Sequence, residues 1–113
     1  MELKVFLAEL VSSLARLDFV VSLELRTEAF TVKGRVHLRQ RGFPEVYFNE
    51  RTQTVAVAWI EAERRKWGID RDNLRGWHRH PLENPEDHQA IRAMSIREII
   101  QELGEIWRQE TSR

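Results

Sequence analysis

Residues 19–39, FVVSLELRTEAFTVKGRVHLR, decide the fold. Phe19, Val21, Leu23 and Leu25 fall on every second position, interleaved with Val20, Ser22, Glu24 and Arg26. After a short polar link at Thr27 to Ala29 the alternation resumes: Phe30, Val32, Val36 and Leu38 alternate with Thr31, Lys33, Arg35, His37 and Arg39. A period of two is that of a strand with one buried face. Two such runs joined by a short polar link predict an antiparallel hairpin.

Upstream, the period is helical. Leu3, Phe6, Leu7, Leu10, Leu14 and Leu17 recur at three- and four-residue steps, which predicts an amphipathic helix of about four turns. Downstream, Gly42 and Pro44 interrupt the second strand. Val46 to Asn49 and Thr54 to Ile60 form another hairpin around Glu50 to Gln53, and a shorter fifth strand is expected at Arg65 to Ile69. Asp70 to Arg75 is polar and reads as a loop. Asn84-Pro85-Glu86-Asp87 has the composition of a helix start, with Asn as cap, Pro at the first position and acids in the first turn. A last helix opens on a capping box, Ser95 with Glu98, and carries the stripe Ile96, Ile99, Ile100, Leu103 and Trp107. The expectation is an α+β fold: a four- or five-stranded antiparallel meander with the N- and C-terminal helices packed on one face. The second strand's other face is too charged to bury.

The chain has 113 residues and 42% apolar content, enough for one hydrophobic core, so residues 1–113 are read as a single domain. Lys plus Arg and Asp plus Glu number 18 each, so no net charge draws the protein to nucleic acid or to an anionic membrane. Any basic surface is local. The absence of cysteine excludes disulfides, thiolate zinc sites, iron–sulfur clusters and a cysteine nucleophile, and removes any sign of an oxidising compartment. Glu9 interrupts the N-terminal apolar stretch, which speaks against a signal peptide. No run approaches the ~18 apolar residues of a membrane span, so a cytoplasmic protein without membrane contact is expected. The high charged fraction, with Arg favoured over Lys, hints at a thermophilic source.

Chemistry concentrates in GWHRHPLENPEDH, residues 76–88. In extended chain His78 and His80 point to the same side, and Pro81 favours that conformation. His88 returns after a turn and can join them. Three readings follow. As metal ligands, neutral His78, His80 and His88 suit zinc or nickel. As a metal-free catalytic set, His78 and His80 serve as base and acid on a phosphate, His88 orients or replaces one of them, and Arg79 stabilises the anionic transition state. As structural residues, they are hydrogen-bonded to acids and backbone.

A second feature is the polar face of the second strand. Lys33, Arg35, His37 and Arg39 form a basic stripe able to follow a nucleic-acid backbone, unless cross-strand acids such as Glu24 neutralise it. Trp77 abuts the histidines and either stacks on a base or packs in the core.

The order of elements, the strand-bearing stretch VYFNERTQTVAVAWI (residues 46–60), the closing GWHRHP (residues 76–81) and His88 together resemble the TumE-type family of prokaryotic toxin components of toxin–antitoxin pairs. The likeness covers residues 18 to 90. It implies a cytoplasmic, RNA-directed protein acting on single-stranded RNA, with a cognate antitoxin as partner. The working expectation is a metal-independent endoribonuclease built on the His78/His80 pair. The alternatives are a three-histidine metal protein and a non-enzymatic partner-binding module, and a homo-oligomer is compatible with all three.

Overall fold

The computed structural model describes residues 1–112. Helix α1 (Leu3–Leu14) is followed by strands β1 (Val20–Glu28), β2 (Thr31–Leu38), β3 (Phe43–Asn49), β4 (Thr54–Glu61), β5 (Arg64–Asp72), β6 (Gly76–His80) and β7 (Gln89–Ala90), and α2 (Ile96–Thr111) closes the chain. The strands form one sheet in sequence order, every neighbour antiparallel. The meander and the two flanking helices agree with the alternation and the helical stripes. The expected four or five strands are corrected to seven.

The two additional strands have a local cause. Asp72 Oδ1 accepts the N–H groups of Leu74 and Arg75, at 3.0 and 2.7 Å, closing a tight turn after β5. These donors hold the Asp72 carboxyl below its ordinary range. The turn folds residues 76–80 back as β6, so part of the stretch read as loop lies in β5. The helix expected at Asn84 does not form. Two single turns, Asn84 N–H to Pro81 O and Asp87 N–H to Asn84 O, give way to β7. The capping residues are present, but no apolar stripe follows Asp87, so a helix there has nothing to bury.

Both helices lie on one face of the sheet. Phe6, Leu10 and Leu14 of α1 and Ile96, Ile99, Ile100, Leu103 and Trp107 of α2 share a single core with Val32, Val36, Val46, Phe48, Val57, Trp59, Trp67 and Ile69. Burial of each large side chain contributes about 1.5–3 kcal/mol. Phe6 stacks on Phe48 at 4.3 Å between ring centroids and Phe19 on Trp107 at 3.9 Å. The indole N–H groups of Trp59, Trp67 and Trp107 donate to Arg41 O, Glu102 Oε2 and Gln40 O, so burying them leaves no donor unmet. The capping box of α2 forms as expected. Helix α1 is shorter than the stripe suggested, but Leu17 still enters the core beyond it. Leu17 rests on Gly104 of α2, where an added Cβ would stand 2.9 Å from its Cδ2.

The alternation in β1 is broken once. A register shift between Val20 and Ser22 turns Val21 out of the core, and Val21 is exposed. Leu25 is also exposed, because β1 is the sheet's edge.

Candidate metal centre

The face away from the helices is organised by register. One row of paired residues crosses all seven strands: Arg26, Lys33, Tyr47, Ala56, Asp70, His78 and Ala90. The row beside it runs Glu24, Arg35, Glu45, Ala58, Gly68 and His80. One step further along the β6–β7 register, His88 comes opposite His80. Period-two geometry thus brings His78, His80 and His88 to one place, with Asp70 beside them.

The three rings are packed together. Their centroids lie 5.2 Å apart for His78 and His80, 4.6 Å for His80 and His88, and 5.5 Å for His78 and His88. One nitrogen from each falls within 4.8 Å of the other two. His78 and His80 are 4% and 7% exposed, so the pair is shut off from water, whereas His88 sits at the rim. Partial desolvation, then the charge of Arg75 and the neighbouring histidines, hold the His88 imidazole below its ordinary range.

Hydrogen bonds orient both buried rings. His78 Nδ1 lies 3.0 Å from Gly76 O, and His80 Nδ1 lies 3.0 Å from Pro85 O. A carbonyl only accepts, so each Nδ1 carries the proton and donates it. In the neutral rings both Nε2 atoms are then bare. They point at the same carboxylate oxygen: Asp70 Oδ2 is 3.1 Å from His80 Nε2 and 3.6 Å from His78 Nε2. Lone pairs facing a carboxylate at this range repel unless a proton or a cation lies between them. Two ligand atoms each about 2.05 Å from a tetrahedral zinc stand about 3.3 Å apart, and the observed separations bracket that value. Asp70 Oδ1 is buried with no hydrogen-bond partner among the described residues. A backbone carbonyl behind each ring is the outer support usual for ligating histidines.

Arg65 completes the surroundings. Its Nη1 donates to Asp70 Oδ2 at 3.1 Å, and its guanidinium lies over Gly68, where a Cβ would meet Nη1 at 3.4 Å. Between this cluster and β2 lies a shallow trough of about 360 Å³, floored by Ala56 and Ala58 and flanked by Lys33, Tyr47 and Arg65.

The remaining expected site residues are dispersed. Arg79, between the two histidines, projects to the helix side and forms a two-pronged pair with Glu102 of α2, at 2.6 and 2.9 Å. Trp77 also faces the helices and packs against the core. Lys33, Arg35 and His37 share the histidines' face, but Arg35 meets Glu45 at 3.5 Å and stacks on Phe43, and His37 meets Glu24 at 2.9 Å. Arg39 leaves the stripe and lies 5.9 Å from the Trp107 ring. Asp70 was not singled out from the sequence. The signal for it is its position two residues before the Asp72-capped turn, which sets it opposite His78.

Both nitrogens of each buried imidazole face a protein oxygen. No protein-family model, curated protein or solved structure matches the chain.

Proposed function

We propose that this protein binds one divalent transition-metal ion, zinc or nickel, through Nε2 of His78 and His80, a ring nitrogen of His88 and a carboxylate oxygen of Asp70. The observation carrying this reading is that each buried ring sets its Nδ1 against a backbone carbonyl while both Nε2 atoms converge on Asp70 Oδ2. Imidazole and carboxylate together suit zinc and nickel and serve calcium and magnesium poorly. The test is elemental analysis of the chain purified without chelator or histidine tag. Close to one ion per chain, lost in His80→Ala, is expected. Metal-free protein that takes up neither ion on titration sinks the proposal.

A second reading keeps the RNA-directed activity implied by the TumE-type resemblance, with an antitoxin as partner. It is favoured by Lys33 lying in the same row as Asp70 and His78, roughly 19 Å from the latter across the small-residue trough. Binding of single-stranded RNA should then weaken with salt, and Lys33→Ala should reduce the log–log slope by about 0.7. RNA binding that is undetectable at low salt removes this reading and leaves the metal site untouched.

A further inference from the structure

The two edges of the sheet are unequal. On one side β7 is two residues long, whereas β1 on the other is a strand of nine. Glu28 pairs with Thr31 across a two-residue turn, and residues this close in sequence can pair only by exchanging both backbone hydrogen bonds. The antiparallel alternation then directs the N–H and C=O groups of Ser22, Glu24, Arg26 and Glu28 toward β2. Those of Leu23, Leu25 and Thr27 point into open space. Proteins guard such an edge with Pro, charged side chains (Lys above all), brevity or a bulge, and here the charges, Glu24, Arg26 and Glu28, are of both signs. Residues 22–28 contain neither Pro nor Lys, and the bulge at Val21 lies at the far end. Val21, Leu25 and Phe30, on this strand and its turn, are exposed.

We infer that β1 pairs antiparallel with β1 of a second copy of this chain, about a two-fold axis at Leu25, joining two sheets into one. Charge complementarity argues for a second copy as partner and against the two adjacent registers. With Leu25 opposite its own copy, Glu24 of each chain faces Arg26 of the other, twice, and Leu23 faces Thr27. Moving the axis to residue 24 sets Glu24 against Glu24, and moving it to residue 26 sets Arg26 against Arg26, both repulsive. Within its own chain Arg26 forms no ion pair among the described residues, whereas Arg35 has Glu45 and His37 has Glu24. The second copy supplies the carboxylate that Arg26 lacks. The same patch serves on both sides, as a two-fold interface requires. The added strand contributes backbone hydrogen bonds to Leu23, Leu25 and Thr27.

The test is sedimentation equilibrium on the full chain across a dilution series. A dimer that dissociates on dilution is expected. Glu24→Arg and Arg26→Glu should each weaken it roughly tenfold or more by setting like charges opposite one another. The double variant, Glu24→Arg with Arg26→Glu, should recover wild-type association because the pairs re-form with signs exchanged. Leu25→Lys should give a monomer with unchanged circular dichroism, which separates loss of pairing from loss of fold. A wild-type monomer at every concentration overturns the inference. So does a dimer indifferent to the single reversals, or a double variant that fails to recover.

Discussion

Replacing Asp70 by asparagine removes one negative charge while keeping the side chain's shape, and the consequence for metal binding follows from the site's distances. With Oδ2 at 3.1 and 3.6 Å from the two Nε2 atoms, Asp70 is close enough to both buried rings to share an ion with them. Changing a group that supports a metal ligand typically costs about 10–100-fold in affinity, the scale expected of Asp70→Asn, which keeps an oxygen in place. For wild-type protein, zinc at about 100 times its dissociation constant stabilises the fold by about 2.7 kcal/mol. In Asp70→Asn at the same zinc concentration, the stabilisation falls to about 0.4–1.4 kcal/mol. At roughly 4 °C per kcal/mol for a chain of this size, the zinc-induced rise in Tm drops from about 11 °C to about 2–6 °C. Without metal, the substitution also alters the contacts of Asp70 with Arg65, His78 and His80, so the melting temperature of each metal-free protein is the baseline from which its zinc-induced rise is read. Thermal melts with and without zinc, paired with calorimetric titration, read both quantities. An undiminished zinc shift in Asp70→Asn, with that of His80→Ala abolished, would refute Asp70 as a ligand. No zinc shift in wild type would refute the centre itself.

Arg79→Ala should lower stability by about 1–3 kcal/mol through loss of its paired bonds to Glu102, yet leave zinc uptake unchanged, because its side chain lies across the sheet from the histidines. Weakened zinc binding in that variant would contradict the two-faced arrangement. Leu10→Ala, at a position with no exposure, should cost about 2–5 kcal/mol in denaturant unfolding, and an unchanged midpoint would show that α1 is not docked there. The Arg41 guanidinium bonded to Glu61 holds that carboxyl below its ordinary range. Its contribution is therefore present above the unfolded carboxylate pKa and lost as pH falls through the lowered folded value. The Tm difference between wild type and Glu61→Gln should be largest near neutrality and shrink in acid; a constant difference would remove the linkage.

Alternation and helical spacing were sufficient to read the core from the sequence: the stripes of α1 and α2 and the inward residues of β2 occupy the expected face. The same rule that brought His78 and His80 together also places Arg79 opposite them, so its separation was legible in H-x-H itself. Asp70 was harder, since its role depends on which residue it meets across a turn. That register is set by Asp72 capping backbone N–H groups, a short polar contact invisible to hydrophobic periodicity. The strand count fell short for a related reason. Residues 76–80 are stabilised by pairing with β5 and by hydrogen bonds from the His78 and His80 rings to the carbonyls of Gly76 and Pro85, neither of which leaves an apolar pattern. At residues 84–87 the cap signal was genuine, but cap residues only start a helix that burial must sustain.

The order of the elements also sets when the chain becomes safe from its own neighbours during synthesis. Every strand pairs with the next, so the sheet can zip up as it emerges, each step closing only a short loop. The apolar face it builds, from Val32 through Ile69, is covered by α1 together with Ile99, Ile100, Leu103 and Trp107 of α2, which follow the strands in the chain. Between the completion of β6 and the docking of α2, the nascent protein presents a nearly finished sheet with the part of its apolar side that α2 will cover still bare and an open edge at β1. That interval is when aggregation competes with folding. Substitutions that slow or weaken α2 should therefore reduce soluble yield more than their effect on the melting temperature of the finished protein would suggest.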